Sequence, residues 1–202
     1  MARMYGPKNR LARKTGFDLG LKTNPLKVAR RLNIPPGQHG RKGKKKVSDY
    51  GEQLSEKQKV KFMYGVMEKQ FHKLYELAAK TPASTGKVLL TLLERRLDNV
   101  LYRLGFAPTR AAARQMVVHG HVRVNDKKMT IPSYAVKVDD VVQLSDKAIK
   151  IPVVAELLKE KNKAVPAWLD KQAAVGKIIR LPEREHIDVG INEQLIVEFY
   201  SR

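Results

Sequence analysis

The sequence predicts an α+β protein, in which a series of helices leads into a small antiparallel sheet. Two patterns indicate this fold class. Apolar residues recur at the spacing of one helix face between Phe62 and Leu104. After Gly120 the period becomes two, because Val122 and Val124 alternate with Arg123. The 202 residues, 43% of them hydrophobic, suffice for a sizeable core in one or two domains.

The chain is strongly basic. It has 40 Lys and Arg residues against 20 Asp and Glu residues, a net charge of +20. Such a balance indicates a polyanionic partner, and the lack of a long apolar run, signal peptide or basic amphipathic anchor favours nucleic acid over a membrane. The absence of Cys excludes disulfides, thiolate zinc sites and a cysteine nucleophile, and fits a reducing cytoplasm. The five His residues have no metal-ligand spacing, so we expect no metal and no cofactor.

The first 50 residues form a basic arm. They carry 14 Lys or Arg residues and two acids, with many Gly and Pro residues and little apolar periodicity. The segment is either a disordered tail or an arm that orders on RNA, and its charge favours the arm. Within it, Pro35–Lys46 predicts a turn-rich loop whose cations meet phosphates. These cations are Arg41, Lys42, Lys44, Lys45 and Lys46.

Two helical regions follow the arm. The first has an apolar face with an interruption at Gly65, formed by Phe62, Val66, Phe71, Leu74, Leu77 and Ala78. The second is predicted as one helix from Val88 to Leu104 that ends at Gly105. Thr109 then begins a further helix as its N-cap, and the spacing of Arg110 and Arg114 places both on its polar side.

Short strands are predicted after Gly120. Asn125 and Asp126 have the turn chemistry of a hairpin, and two more strands are expected around Val136–Val138 and Val142–Leu144. Beyond them, 151–172 has a helical pattern broken at Pro166. The segments Gly176–Leu181 and Leu195–Tyr200 are predicted to be extended.

Six arginines surround the change from helix to strand, and no Lys lies among them. The planar guanidinium group suits RNA phosphates and unpaired bases, so we expect the group to contact RNA. The competing interpretation is pairing with Glu94 or Asp98 on the protein surface. The six are Arg95, Arg96, Arg103, Arg110, Arg114 and Arg123.

This region also carries a resemblance. The segment from Glu94 to Asn125 reads E-R-R-L-D-N-V-L-Y-R-L-G-F-A-P-T-R-A-A-A-R-Q-M-V-V-H-G-H-V-R-V-N. It resembles the helix–helix–sheet RNA-binding module named after ribosomal protein S-four. Further blocks resemble the bacterial ribosomal S-four family over nearly the whole chain: G-P-K-N-R-L-A-R-K-T-G, P-G-Q-H-G, S-D-Y-G-E-Q-L-S-E-K-Q-K, Y-G-V-M-E-K-Q-F and I-N-E-Q-L-I-V-E-F-Y-S.

The resemblance implies a mostly helical domain with the arginine-rich module inserted into it. On this basis we expect a basic arm at 1–47, a helical domain at 48–87 completed by 187–202, and the module at 88–186. It also implies a structural protein, not an enzyme, on cytoplasmic ribosomes. Such a protein binds small-subunit rRNA directly and early, nucleates assembly and supports accurate translation where mRNA enters the subunit, beside ribosomal proteins S-three and S-five. Some relatives bind zinc through Cys residues that this chain lacks.

The implied rRNA-binding residues lie in the arm and in the module, and the cations from Arg41 to Lys46 match the loop that lines the mRNA path. The rRNA set is Arg3, Lys8, Arg10, Arg13, Lys14, Lys22, Arg95, Arg96, Arg103, Thr109, Arg110, Arg114, His119, His121 and Arg123.

Other classes of protein use similar modules. An RNA-modifying enzyme or aminoacyl-tRNA synthetase would need a separate catalytic domain, and the sequence shows no nucleotide loop, nucleophile elbow or metal-ligand set. The long blocks in the arm argue against a free RNA chaperone. A helix-turn-helix DNA-binding protein is disfavoured by the strands that follow Val118 directly.

Overall fold

The computed structural model describes residues 4, 6–38, 40, 46–160, 165–187 and 190–201. It confirms the α+β class. The chain forms two compact units: Met1–Leu89 with Gly190–Arg202, here called unit 1, and Leu90–Val189, here called unit 2. Among the described residues, no helix is both long and apolar enough to span a membrane.

The helices and strands are named here in chain order, with one further 3₁₀ turn at Arg184–His186. They are α1 (Lys8–Thr15), α2 (Pro25–Ala29), α3 (Asp49–Tyr64), α4 (Glu68–Ala79), α5 (Thr85–Glu94), α6 (Leu97–Arg103), α7 (Arg110–Val118), β1 (Val122–Val124), β2 (Lys127–Lys128), β3 (Val141–Leu144), α8 (Asp146–Ile149), α9 (Pro152–Lys159), β4 (Leu169–Gln172), β5 (Val175–Ile178) and α10 (Glu193–Tyr200).

The described part of the basic arm contains local structure that its sequence pattern did not predict. Ala12 in α1, Val28 in α2 and Leu19 between the two helices are buried, whereas Leu26 of α2 is exposed. The Arg13 guanidinium fastens the turn after α2 to α1, because Nε donates to the Ile34 carbonyl at 2.8 Å and Nη2 to the Pro35 carbonyl at 2.9 Å. The two hydrogen bonds of Arg13 and a few buried apolar side chains therefore hold together a segment that is short of apolar residues.

Helices α3 and α4 confirm the predicted helical region and its interruption. Ser48 caps α3, since its hydroxyl accepts a hydrogen bond from the Gly51 N–H. Gly65 ends the helix with a φ of 63°, which favours glycine. Phe62, Val66 and Phe71 are buried on the predicted face, but Leu77 is exposed.

Helix α10 packs on α3 and corrects the prediction of an extended C-terminal segment. Asn192 caps it by accepting from the Gln194 N–H at 3.1 Å, a signal that the sequence analysis overlooked. Ile196 and Tyr200 lie four residues apart on one face of the helix. Ile196 is buried, and the centre of the Tyr200 ring lies 4.6 Å from that of Tyr75 on α4.

A charged network joins α3, α4 and α10 within unit 1. Glu68 accepts from Lys57 at 2.8 Å, from Lys61 at 2.9 Å and from the Tyr200 hydroxyl at 2.8 Å. Burial raises the pKa of the Glu68 carboxyl, but the hydrogen bonds from these three groups outweigh it and lower the pKa to about 2. Burial and the neighbouring Glu68 carboxylate raise the pKa of Tyr200.

We expect unit 1 to lose stability in acid because of Glu68. A depressed pKa contributes stability that is present above the ordinary value of 4.5 and is lost as pH falls from there towards about 2. Glu68→Gln should therefore flatten the dependence of the urea midpoint on pH over this range, as followed by circular dichroism. Glu76→Gln, which removes an exposed partner of His72 from the same helix, is the control. Equal curves for the two variants would contradict the assignment.

The predicted helix from Val88 to Leu104 is wrong in one respect: it is two helices with a break at Arg95 and Arg96. The break has a tertiary cause. The Leu97 N–H donates to the Tyr134 carbonyl at 2.9 Å, and the Val136 N–H donates to the Arg95 carbonyl at 2.9 Å. Arg96 and Ala135 form an isolated bridge, so the chain is extended where the apolar period predicts a helix.

The sheet of unit 2 has the strand order β2-β1-β3-β5-β4, and each neighbouring pair is antiparallel. Its core face meets α6 and α7, with Leu97, Leu101 and Val117 packed against Val122 and Val142. The arrangement confirms a helix–helix–antiparallel-sheet unit. The other sheet face carries Arg123 and Gln143.

Two predicted elements of unit 2 need correction, and a third is confirmed in part. The strand expected at Val136–Val138 is absent from the described residues, where only Ala135 forms the bridge to Arg96. The helical pattern at 151–172 is a helix only over Pro152–Lys159, and Leu169–Gln172 is β4. That segment is extended because it pairs with β5, so a distant partner overrides the local pattern. The segment predicted to be extended at Gly176–Leu181 is confirmed as a strand over residues 176–178, which belong to β5.

Candidate nucleic-acid interface

Asp98 holds two of the six module arginines. Arg96 donates to it through Nε at 3.1 Å and Nη2 at 2.7 Å, and both side chains are buried. Arg114 donates to the same carboxylate through Nη1 at 3.1 Å. The bidentate pair fixes the extended break between α5 and α6 to the start of α6, and Arg114 joins the same carboxylate to the middle of α7.

Glu94 and Asn99 organise two more arginines. Arg103 binds the fully buried Glu94 carboxylate through Nε at 3.1 Å and Nη2 at 2.7 Å. The Asn99 side-chain amide donates to the Glu94 carboxylate at 2.6 Å. The side-chain oxygen of Asn99 therefore faces Arg110 and accepts a hydrogen bond from the Arg110 Nε at 2.8 Å. The Arg110 guanidinium also lies 4.5 Å from the centre of the Tyr102 ring.

Arg110 corrects a sequence-based expectation. Its spacing from Arg114 predicted that both lie on the polar side of α7, but Arg110 is only 8% exposed. It stands at the first turn of the helix, where the side chain reaches back to α6. We therefore expect the replacement of Arg110 by Ala to lower the stability of unit 2.

Five of the six arginines thus have partners within unit 2, since Arg95 also donates from Nε to the Val136 carbonyl at 2.9 Å. Pairing of the arginines within the protein was the competing interpretation to RNA contact. Their partners include not only Glu94 and Asp98 but also Asn99 and the Val136 carbonyl. The side chains still form a basic, ordered frame. At least one N–H group of each of these five arginines donates to a partner within unit 2, so the fold sets the orientation of each guanidinium group.

Arg123 differs from the other five. It lies on the open face of the sheet between buried Val122 and Val124, and it faces Lys128 across the β1–β2 hairpin. Within the described part of the chain, neither cation has an acidic partner. Lys128 was missed by the sequence analysis, although its place opposite Arg123 follows from the two-residue turn at Asn125 and Asp126.

The other predicted module residues lie next to this hairpin or at the start of α7. The Thr109 hydroxyl accepts from the Ala112 N–H at 3.2 Å, so its side chain serves as the N-cap. His119 is exposed and His121 is half-buried, with their ring centres 6.2 Å apart on either side of Gly120.

The predicted residues of the arm are mostly exposed. Arg10, Lys14 and Lys22 face solvent, and Lys8 is half-buried. Arg13 is directed to carbonyls of the arm itself. Exposed Lys27, Arg30 and Arg31 extend the basic surface beyond the residues that the sequence analysis selected. Lys46 is exposed, whereas Arg3, Arg41, Lys42, Lys44 and Lys45 lie outside the described residues.

No group of three or more metal-ligating side chains occurs in the described ranges. The exposed Lys and Arg side chains described above, in the arm and in unit 2, suit contacts with a phosphate backbone.

Comparisons with known proteins agree with this geometry. Residues 3–94 match the family model of the ribosomal protein S4/S9 N-terminal domain, and residues 95–142 match that of the S4 domain. Curated relatives named small ribosomal subunit protein uS4 align over 100% of this chain and 100% of their own. The identity is 49% for Aquifex aeolicus, 50% for Parabacteroides distasonis and 51% for Dictyoglomus turgidum.

These matches confirm the resemblance seen in the motifs. They cover the arm, the helical region and the arginine-rich module together, and not the module alone. The chain belongs to the family of the small ribosomal subunit protein uS4.

Proposed function

We propose that the protein is a structural component of the small ribosomal subunit that binds small-subunit rRNA directly and early and nucleates assembly. The observation that carries the proposal is a sequence identity of 49–51% over the full length of relatives that are named small ribosomal subunit protein uS4. The net charge of +20 supports it, since binding to RNA gains from the release of counterions by each neutralised phosphate.

The proposed role is not enzymatic, and its place is on cytoplasmic ribosomes. The names of the full-length relatives, which are those of a ribosomal protein of bacteria, support this proposal. Proposed neighbours are ribosomal proteins S-three and S-five, at the side of the subunit where mRNA enters. The alternatives are a free RNA chaperone and an RNA-targeting appendage of an enzyme.

Cofractionation distinguishes these alternatives. In a sucrose gradient of cell lysate, we expect the protein to sediment with small subunits and to remain with them after a wash at moderate salt. A free chaperone would stay at the top of the gradient. The appendage of a modifying enzyme would associate with precursor particles and leave mature subunits.

We also propose that the basic stretch Arg41–Lys46 grips mRNA by its phosphates as the strand enters the subunit, without reading its sequence. The support is its charge of five cations in six residues, with Gly43 inside the stretch and Gly40 directly before it. Proteins of this kind would support accuracy and progress of translation through contact with the strand.

Replacing Arg41, Lys44, Lys45 and Lys46 by Ala is expected to slow translation through structured messengers. The variant removes up to four phosphate contacts and leaves the rRNA-binding units intact, so subunits should still assemble. The measurement is elongation on two messengers that differ only in a downstream hairpin. Equal slowing on both messengers would contradict the clamp, and failure of assembly would place the stretch on rRNA instead.

A further inference from the structure

We infer that Glu56 and Lys59 of α3 form a latch that couples α10 to the basic arm, so that the seating of α10 on α3 also fixes the position of the arm. The inference goes beyond the proposed function, because it concerns how unit 1 is held together and not which partner it binds. The latch lies where the segment that begins α10 meets Phe17, close to the end of the first helix of the arm.

The two latch residues form an ion pair that is largely buried. The Lys59 Nζ lies 3.1 Å and 3.3 Å from the two carboxylate oxygens of Glu56, and only 12% and 14% of the two side chains are exposed. Their spacing of three residues places both on one face of α3. Because solvent and salt screen such a pair less than an exposed one, breaking it costs more than breaking a surface ion pair.

Both members of the pair hold the chain that leads into α10. The Glu56 carboxylate accepts a hydrogen bond from the Asn192 N–H at 2.9 Å, and the Lys59 ammonium donates to the Gly190 carbonyl. Asn192 is the N-cap of α10, so its backbone N–H binds α3 while its side chain caps the helix that it begins. The latch therefore fixes the start of α10 to α3.

Lys59 also holds the arm. Its Nζ lies 4.5 Å from the centre of the Phe17 ring, as in a cation–π contact. Gly190 packs against the edge of the same ring, since a Cβ at position 190 would lie 2.8 Å from both the Cε2 and the Cζ atoms of Phe17. Phe17 directly follows Gly16, the C-cap of α1, and α1 packs on α3. One ammonium group thus joins the arm, α3 and the segment before α10.

Other contacts seat α10 without involving the arm. The Gln53 amide donates to the Glu198 carboxylate at 3.0 Å, and the Tyr200 hydroxyl donates to Glu68 at 2.8 Å. These contacts fasten α10 to α3 and α4. The latch differs from them because it is where the seated helix meets the arm.

Coupling of this kind is reciprocal. If α10 leaves α3, Lys59 loses the Gly190 carbonyl and the Phe17 ring loses its contact with Gly190, so the arm is held less firmly. By the same thermodynamic linkage, displacement of Phe17 weakens the seating of α10. The opening of each segment can be measured by the hydrogen exchange of its backbone amides.

The first test compares two variants of the full chain by amide hydrogen exchange. Lys59→Met keeps an unbranched side chain but removes the ammonium of the latch, and Lys73→Met makes the same change at an exposed position on α4. We expect Lys59→Met to speed exchange in both α1 and α10 by roughly tenfold, the effect of losing one hydrogen bond to a charged group. Lys73→Met should change neither segment.

Exchange within α4 is the internal reference for this test, and it should change much less than exchange in α1 and α10. Faster exchange in α10 with α1 unaffected would overturn the coupling. Equal acceleration throughout unit 1 would also overturn it, because Lys59 would then stabilise the unit as a whole.

Reciprocity is tested by variants on the two sides of the latch. Gly190→Ala should push the Phe17 ring aside and speed exchange in α1, while Phe17→Ala should speed exchange in α10. In a Phe17→Ala background the new methyl group has room, so Gly190→Ala should have little further effect. Leu26→Ala, at a position of the arm that is 72% exposed, is the control and should leave α10 unchanged. Additive effects of the changes at 17 and 190 would mean that the two segments are held independently.

The latch also has a consequence for binding by the arm. An arm that is ordered beforehand loses less entropy on binding, and the burial of Lys59 leaves little of its ammonium for a phosphate. Lys59→Met should therefore weaken binding to small-subunit rRNA severalfold and leave the slope of log K against log salt unchanged. A slope shallower by about 0.7–0.9 would show that Lys59 meets a phosphate itself, which contradicts the latch. If the wild-type protein does not bind this RNA, the proposed function fails, whereas hydrogen exchange still decides the latch.

Discussion

Asp98→Ala is expected to destabilise unit 2 by about 3–5 kcal/mol, although it removes only one small side chain. The Asp98 carboxylate is the partner of both Arg96 and Arg114, and the Arg96–Asp98 pair is 6% exposed on each side. Removing the acid leaves a buried guanidinium without compensation, which costs far more than the pair itself contributes. Trp168, the single Trp of the chain, is fully buried in the core of this unit and reports its unfolding by fluorescence.

Asp139→Asn is the matched control for this prediction, because Asn tolerates the positive φ of 67° at this position. It removes an acid from the same unit, but the ion pair of Asp139 with Lys177 is 76% and 52% exposed, so its loss should cost less than about 1 kcal/mol. Similar losses for the two variants in urea titrations would show that the Arg96–Asp98–Arg114 network does not hold the helices together.

Leu97→Asp is expected to unfold unit 2. Leu97 directly precedes Asp98 and is fully buried against α7 and the sheet. A carboxylate there would have no cationic partner directed at it, so the cost should exceed about 4 kcal/mol, a large fraction of the stability of a domain. The near-ultraviolet signal of Trp168 should be lost, and RNA binding by the unit should be lost with it.

Ile131→Asp separates burial from charge in this comparison. Ile131 is 49% exposed in the same unit, so the same new charge should leave the Trp168 signal and the thermal midpoint nearly unchanged. A folded Leu97→Asp protein would contradict the packing of α6 described above. The neighbouring positions 97 and 98 thus respond oppositely to an acid, because only one of them faces guanidinium groups.

Local patterns predicted the elements whose structure is decided locally. The periodicity of α3 and α4, the interruption at Gly65 and the alternation in β1 all follow from neighbouring residues. The break between α5 and α6 does not, because the Leu97 N–H finds its partner at Tyr134, far along the chain. Strand β4 likewise depends on β5, so no local signal marks it as extended.

The arginines of the candidate site also show that local sequence patterns do not reveal distant partners. Their number and spacing identified a basic module, but the spacing of Arg110 and Arg114 could not reveal that Asn99 and Tyr102 enclose Arg110. The side on which a cation lies depends on tertiary partners. Lys128 is a different case: the two-residue turn at Asn125 and Asp126 already sets the register that places it opposite Arg123, so the sequence held a signal for it.

Crosslinking of the purified full chain to small-subunit rRNA, with both peptides and nucleotides mapped, tests the account most directly. Direct binding predicts crosslinks at defined rRNA positions from two parts of the protein. One is the exposed basic surface of the arm around Arg10, Lys14 and Lys22, and the other is the hairpin with Arg123 and Lys128. Crosslinks scattered over all exposed lysines and over unrelated RNA alike, or no crosslinks to small-subunit rRNA, would contradict it.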